Sequence, residues 1–462
     1  MTGTRQTRRS FLKLSAATTL GFVGLGCACD ATLRGRSPGP YGDLVMDPEG
    51  IIDLPRGFSY DVVARAGDRM TDGLFMPGKQ DGMAAFAGSD GTILICNHEN
   101  DVGQEALSAF GVRGELNDRV NRELVYDVSD NGLCPGATTT ILYDTNQRRT
   151  LSMHLSLAGT LRNCAGGLTP WNSWITCEET VRKAGESCQR DHGYAFEIPA
   201  TTSGGLTPPV PLVEMGRFCR EAVAVDERSG IVYQTEDRGD GLLYRYIPRV
   251  AQKLGAGGRL QALAVIDQPS LDTGNALGQT VPVGEPLAVR WIDLEDIGAP
   301  DDDLRHRGFA MGAAHFVRGE GMWYGEGVIY FACTSGGRIG KGQIWKYTPS
   351  PHEGTEVEEK QPGMLELFIE PNDECLVDNA DNLVVSPWGD LLLAEDGLGE
   401  QYLVGVTPDG TIYKFGRNAF SQSEFAGLTF APDGSALFVN IQHSGLTLAI
   451  FGPWAQAAGR VG

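Results

Sequence analysis

The chain is poor in basic residues: 38 Lys and Arg stand against 59 Asp and Glu over 462 residues, a formal net charge of −21. So acidic a chain is excluded from taking nucleic acid or an anionic membrane as its main partner. An anionic substrate would need positive charge supplied locally, by arginine or by bound metal. Histidine is also scarce. The seven are His98, His154, His192, His306, His315, His352 and His443; no two lie three to five residues apart, which excludes a paired-histidine zinc motif. His98 is expected to be a hydrogen-bonded core residue. No Ser-His-Asp order, P-loop or helix-opening GxGxxG is present, and no long stretch keeps a helical period. Beyond the first thirty residues no apolar run reaches the roughly 18 residues of a membrane span.

Glycine, by contrast, is abundant, with 62 residues, alongside 24 Pro. One pattern recurs: a glycine-containing turn, then a short aliphatic or β-branched run that ends on a polar residue. It appears at Ser89–Asn97, Ser229–Asp237 and Gly325–Thr334, then more densely at Ser386–Gly397, Thr407–Tyr413 and Ala431–Asn440. These are hairpin signals. Spread over the whole chain, they predict an all-β fold, a β-propeller with enlarged blades and surface insertions. Segments 251–307 and 349–361 read as those insertions. In such a fold the polar strand ends Asn97, Glu236 and Asp237, Thr334 and Ser335, Glu395 and Asp396, and Asn440 would converge on a central channel.

The first residues read Thr7-Arg8-Arg9-Ser10-Phe11-Leu12-Lys13-Leu14, followed by a weakly apolar run to Cys27. This predicts a twin-arginine signal over 1–30 and a single domain over 31–462. The expected location is therefore periplasmic or extracellular, with the Tat export machinery as partner and a monomer as product. Leu25-Gly26-Cys27 imitates a lipoprotein site, but Gly24 stands where a large aliphatic residue is preferred, so lipid anchoring at Cys27 is the lesser expectation. Ten cysteines are present. Cys134, Cys188 and Cys375 sit in loop-like contexts suited to disulfides, and Cys96 and Cys333 in apolar strands.

Cys164 differs from these. In Asn163-Cys164-Ala165-Gly166-Gly167-Leu168-Thr169-Pro170-Trp171-Asn172-Ser173-Trp174-Ile175-Thr176-Cys177-Glu178-Glu179 a thiol lies about one hairpin from two adjacent carboxylates. A donor set of that kind suits a transition metal beside hard cations. Further acidic groups follow at Glu221, at Glu236 and Asp237, and at Glu320. On a strand, Arg318 and Glu320 would face one side, presenting a guanidinium and a carboxylate to one cavity. That pair is an anion grip or a scaffold salt bridge.

Taken with Cys96-Asn97-His98-Glu99, Glu221-Ala222-Val223-Ala224-Val225-Asp226, Thr235-Glu236-Asp237-Arg238, Arg318-Gly319-Glu320-Gly321, Asp381-Asn382-Leu383, Glu395-Asp396-Gly397, Glu424-Phe425-Ala426-Gly427 and Phe451-Gly452-Pro453-Trp454, the string resembles the PhoX-type alkaline phosphatases from about residue 45 to 455. The resemblance implies a secreted propeller holding Fe(3+) and Ca(2+) that hydrolyses phosphate monoesters through a metal-activated bridging oxygen. Carried over, Cys164, Glu179, Glu221 and Glu320 match iron ligands, and Arg318 the phosphate-binding arginine. Glu178, Glu236, Asp237, Glu395 and Asp396 match calcium ligands. Arg220 departs from the pattern, which usually has histidine there, and places an extra positive charge beside a ligand. The alternatives are a calcium-dependent propeller acting on another ester class, as a phosphodiesterase or lactonase, and a non-catalytic calcium-stabilised binding propeller.

Overall fold

Turn by turn, the aliphatic runs between glycines become antiparallel strands in the computed structural model, which describes residues 39–278 and 281–454. Six meanders follow one another along the chain. Their first strands are Gln80–Gly88, Asn163–Leu168, Arg220–Val225, Gly319–Gly325, Ala380–Val385 and Phe425–Phe430. Each packs against the first strand of the next meander, and the last packs against the first, so the six close a ring. This is a β-propeller with a central channel. The N-terminal strands complete it: Ser59–Arg65 pairs with Leu446–Phe451, and Ile52–Pro55 pairs with Ile412–Asn418. Early chain is thereby fastened to late chain.

The turn signals read from the sequence fall mostly before second strands, namely Gly91–His98, Val232–Glu236, Val328–Cys333, Leu391–Glu395 and Ala436–Ile441. These, and not the innermost strands, carry the polar ends singled out above. Segment 251–307 also differs from expectation. It contributes two strands, Gly258–Val265 and Leu287–Asp293, and the second pairs with both Gly258–Val265 and Met364–Ile369. Two meanders are thereby welded into one ten-stranded sheet. Gly258–Val265 is buried throughout its last six residues and Leu287–Asp293 buries Val289 and Ile292, but flanking Asp, Gly and Pro hide both strands in composition. Among the described residues only Leu304–Ala310 forms an α-helix, and no helix is long and apolar enough to cross a membrane. Cys375 is disulfide-bonded, whereas Cys134 and Cys188 are free thiols. The signal segment 1–30 and Cys27 lie outside the described residues.

Candidate metal centre

Every first strand loses register with its second strand near its start. The break falls between Gln80 and Met83, Asn163 and Gly166, Arg220 and Val223, Gly319 and Met322, Ala380 and Asn382, and Ala426 and Thr429. A β-bulge leaves its extra residues unpaired and bends the strand. Those extra residues begin with Asp81, Cys164, Glu221, Glu320 and Asp381, and with Gly427 in the sixth blade. Five of six blades thus release a carboxylate or thiol at one level. In four of these blades the residue after the acid or Cys is Gly or Ala, because the neighbouring blade is close: a Cβ on Gly82 would lie 2.5 Å from Ala165 Cα, and one on Gly321 2.7 Å from Asn382 Cα.

A second tier sits above the first. Lys79, Arg162, Arg318 and Asn379, each two residues before a bulge residue, have φ between 46° and 55°. For a residue with a side chain this left-handed conformation costs about 1 to 2 kcal/mol. Their carbonyls accept the backbone N–H of Glu99, Glu179, Thr334 and Asp396 respectively, at 2.9 to 3.0 Å, and Cys219 does the same for Asp237. These acceptors fix the residues just past the second strands at the channel rim.

The two tiers meet in a network. Cys164 Sγ lies 3.1 Å from Glu221 Oε1 and 3.7 Å from Asp81 Oδ2. Gln442 Nε2 donates to Asp81 at 2.6 Å. Arg162 bridges Glu99, at 3.0 Å, and Glu179. Arg318 grips Asp237 with Nε and Nη2 at 2.8 and 2.9 Å, and its Nη2 is also 2.8 Å from Glu320 Oε1. Two triads bring their donor atoms within 4.8 Å of one another: Cys164, Glu179 and Glu221, and Glu221, Glu320 and Asp381. Burial, then mutual repulsion, pushes the carboxyls of Asp81, Glu221, Glu320 and Glu424 well above their ordinary range. Asp381 is lifted to about 7 and Asp396 to about 6 by the same causes. Burial lifts Glu179 to about 8 against the pull of Arg162, and burial and the surrounding acids raise the Cys164 thiol.

Such a cluster fits bound cations. The nine carboxylates of Asp81, Glu99, Glu179, Glu221, Asp237, Glu320, Asp381, Asp396 and Glu424, less the three charges of Lys79, Arg162 and Arg318, leave a formal −6. Buried Glu221 Oε2 has no hydrogen-bond partner, and buried Glu320 Oε1 meets only a poorly aligned Arg318.

Of the residues read from sequence, Cys164, Glu179, Glu221, Asp237, Glu320, Asp396 and Arg318 are brought together here. Glu178, Glu236 and Glu395 are not. Each ends a second strand one residue before a rim acid, so strand alternation turns it the other way. Glu178 accepts from Leu161 N, Gly193 N, Tyr194 N and His192. Glu236 accepts from Leu242 N and Tyr244. Glu395 accepts from Asp378 N, Tyr402 N and Lys414. Arg220 leaves the site too: it donates to Gln234 and to the carbonyls of Gly193, Met215 and Gly216, so its charge is absorbed by the blade. His98 bonds Gly78 O and Thr139 inside the core, as expected. Sequence reasoning did not assign Asp81, Glu99, Asp381 or Glu424 to the site, nor Arg162. The recurring dipeptide of acid or Cys followed by Gly or Ala, at 81–82, 164–165, 221–222 and 320–321, was the signal that could have found the first.

A profile of the alkaline phosphatase PhoX family matches residues 39–148 and 112–445. The fold superposes on the Pseudomonas fluorescens PhoX solved in complex with vanadate, a transition state analogue, with TM-score 0.64, 16% identity, and coverage of 87% of this chain and 96% of that one. A gluconolactonase from Xanthomonas campestris aligns at TM-score 0.36 and 11% identity over 85% of this chain and 100% of that one. A protein of unknown function from Bacteroides thetaiotaomicron aligns at 0.42 and 8%, over 85% and 76%. No curated protein matches. Its match over more than half its length shows that the chain belongs to the PhoX family of metal-dependent alkaline phosphatases.

Proposed function

We propose that the channel mouth hydrolyses phosphate monoesters, with Fe(3+) held by Cys164, Glu179, Glu221 and Glu320, and Ca(2+) held by Asp237 and Asp396 together with Asp81, Asp381, Glu99 and Glu424. The observation that carries this reading is the buried, mutually repelling carboxylate ring with a thiol in it. A soft thiolate favours a transition metal, and the surplus of hard oxygens favours calcium. A formal deficit of six charges calls for several ions. When bound, such ions supply Lewis-acid stabilisation of phosphoryl charge and activate the attacking oxygen.

The chain's own residues do the positioning. Asp237 holds the Arg318 guanidinium through Nε and Nη2, with the Glu320 carboxylate beside Nη2, leaving Nη1, which takes part in neither contact, for a non-bridging phosphoryl oxygen. A preorganised donor of this kind is worth about 2.7 to 4 kcal/mol in the transition state. Arg162, between Glu99 and Glu179, adds a second fixed positive charge on the same rim. The enzyme is exported as a monomer by the twin-arginine route through Arg8 and Arg9, and acts outside the cytoplasm.

The test is turnover of a chromogenic phosphate monoester by purified protein, with metal analysis. We expect hydrolysis with iron and calcium present, and loss of iron, colour and activity in Cys164→Ser, because a serine hydroxyl is a poor ligand at neutral pH. Hydrolysis of a phosphodiester or lactone in preference to the monoester would overturn the substrate class. Iron retained by Cys164→Ser would overturn the ligand assignment.

A further inference from the structure

A second constellation lies outside the channel and is independent of the phosphatase reading. Asp127, Cys134 and His192 bring one donor atom each within 4.8 Å of one another. All are buried: His192 and Cys134 are 0% exposed and Asp127 4%. Cys188, also a free thiol, packs with Cys134 and Leu161 in a small separate cluster. Four donors thus come from two loops, one between the second and third strands of the first blade, the other before the third strand of the second blade.

The imidazole is prepared for a metal on one nitrogen. His192 Nδ1 is 2.6 Å from Glu178 Oε1, and Glu178 is fixed by backbone N–H groups of Leu161, Gly193 and Tyr194. A carboxylate that holds one ring N–H sets the tautomer and frees the other nitrogen, as in carboxylate–histidine–zinc triads. That other nitrogen, Nε2, is 3.2 Å from Asp127 Oδ2. The Asp127 carboxylate is in turn aimed by the N–H groups of Gln189 and Arg190, at 2.9 and 2.8 Å. Tetrahedral zinc with bonds of about 2.0 to 2.3 Å separates its donors by about 3 to 4 Å, close to the spacing of Asp127, Cys134 and His192; the Cys188 thiol, which donates to Lys183 O and Arg190 O, would turn from those carbonyls to complete the set. Cys188 and His192 are also four residues apart, a spacing that lets one short loop supply two ligands.

We propose that Asp127, Cys134, Cys188 and His192 form a structural zinc site that clamps the two loops, with Glu178 orienting His192. Two thiolates, an imidazole and one carboxylate form a borderline-soft set that selects zinc over calcium. The clamp has a consequence for the channel. Glu179 follows Glu178 directly, so the strand end that contributes to the metal cluster is anchored from behind. Glu178, read from sequence as a calcium ligand, becomes in this proposal a positioning residue for a different metal.

The experiment is elemental analysis of the folded full-length protein expressed in zinc-supplemented medium. Wild type and Cys164→Ser are expected to hold one zinc per chain, and Cys134→Ser and Cys188→Ser at least tenfold less. Because a cysteine variant could fail to fold, wild type is also grown with cobalt, where thiolate-to-cobalt charge-transfer absorption is expected and must persist in Cys164→Ser. Alkylation of Cys134 and Cys188 should occur only after a zinc chelator is added. Folded wild type without zinc, a Cys134–Cys188 disulfide detected by mass spectrometry, or zinc lost with Cys164→Ser and kept with Cys134→Ser would each overturn the proposal.

Discussion

Glu221 belongs to both triads of the channel, so replacing it by Gln tests the centre at its densest point. The substitution should act with opposite sign on the two states of the protein. Without metal, Glu221 faces Asp381, Glu179 and Asp81 in a buried site, with donor atoms of its triads within 4.8 Å. Two unit charges at that distance repel by about 3.5 kcal/mol at an effective dielectric of about 20, and partial protonation relieves some of this. Removing one charge should therefore stabilise chelated protein by about 1 to 3 kcal/mol. For a chain of this length the unfolding entropy converts that to roughly 1 °C per kcal/mol. The pH dependence has a definite sign. A carboxyl lifted above its unfolded value contributes stability that is complete below pH ~4 and is lost as pH rises through its folded value. Asp381 at about 7 and Glu179 at about 8 place that loss between pH 4 and 8. Chelated wild type should thus weaken across this window, and the advantage of Glu221→Gln should be larger at pH 8 than at pH 5. With metal present the order reverses: wild type gains about 4 kcal/mol at ligand a thousandfold above Kd, whereas the variant gains little and is inactive. Calorimetry of both proteins, chelated and loaded, reads both signs. If chelated Glu221→Gln melts below chelated wild type, the ring is not electrostatically strained and the metal argument loses its physical basis.

Three other outcomes are expected. Arg318→Lys should keep fold and metals yet lower kcat/KM for a phosphate monoester by about 2 to 4 kcal/mol, since Lys keeps the charge but loses the planar grip; the side chain is 40% exposed, so the stability change should stay under about 1 kcal/mol, and a lowered Tm with unchanged kcat/KM would make Arg318 scaffold only. His98→Asn should flatten the acid limb of the stability profile: burial holds His98 at about 4, so its contribution is complete above pH ~6.5 and lost as pH falls to 4, about 3 kcal/mol in all, and urea midpoints at pH 7 and 4 read the difference. Gly82→Ala should cost about 1 to 3 kcal/mol by overpacking and reduce iron content, because the new Cβ meets Ala165 Cα at 2.5 Å and Cys164 O at 2.8 Å; Gly239→Ala, with nothing within 4 Å, should match wild type in both Tm and iron.

Sequence patterning reached the second strands because each is announced by its own turn, as in Asp90-Gly91 before Gly91–His98 and Gly389 before Leu391–Glu395. On the first strands it reached Cys164, Glu221 and Glu320 as candidate ligands but not Asp81 or Asp381. There the alternation that reveals a strand is broken at the bulge, which is the very distortion that frees the acid. Gln80-Asp81-Gly82-Met83 therefore reads as a turn when it is the start of a nine-residue strand. Paired acids posed the opposite difficulty. Glu178-Glu179, Glu236-Asp237 and Glu395-Asp396 each straddle a strand end, and strand geometry sends only one of each pair to the channel. Which one depends on where pairing stops, and that is set by the backbone hydrogen bond from the second acid to the carbonyl of the residue just before the first strand, a contact that the local pattern around the acid pair does not show. Arg220 was misjudged as a charge beside the site for the same reason: it precedes Glu221, but sits on the paired side of the bulge, opposite Glu236.

The same bulges explain why the centre and the closed ring depend on one another. Six strands from distant parts of the sequence bring like charges together only because blade packing forces them there, through contacts such as Gly321 against Asp381 and Asn382 and Gly427 against Asp81. Packing that close places Gly or Ala after four of the five bulge residues, at 82, 165, 222 and 321, so the blade interface gives up apolar burial at the very level where repulsion is greatest. The outer blades compensate, with clusters in which residues such as Trp345, Tyr347 and Phe331 are 0% exposed. Arginine acts mainly on the rim, through Arg162 and Arg318, and reaches the lower tier only where Arg318 approaches Glu320, so among the described residues Asp81, Glu221 and Asp381 have no arginine of their own in direct contact. On the proposed reading the arrangement separates two tasks by depth: cations seated low would hold the ring shut, while a guanidinium already tied to Asp237 would meet a phosphoryl group at the opening.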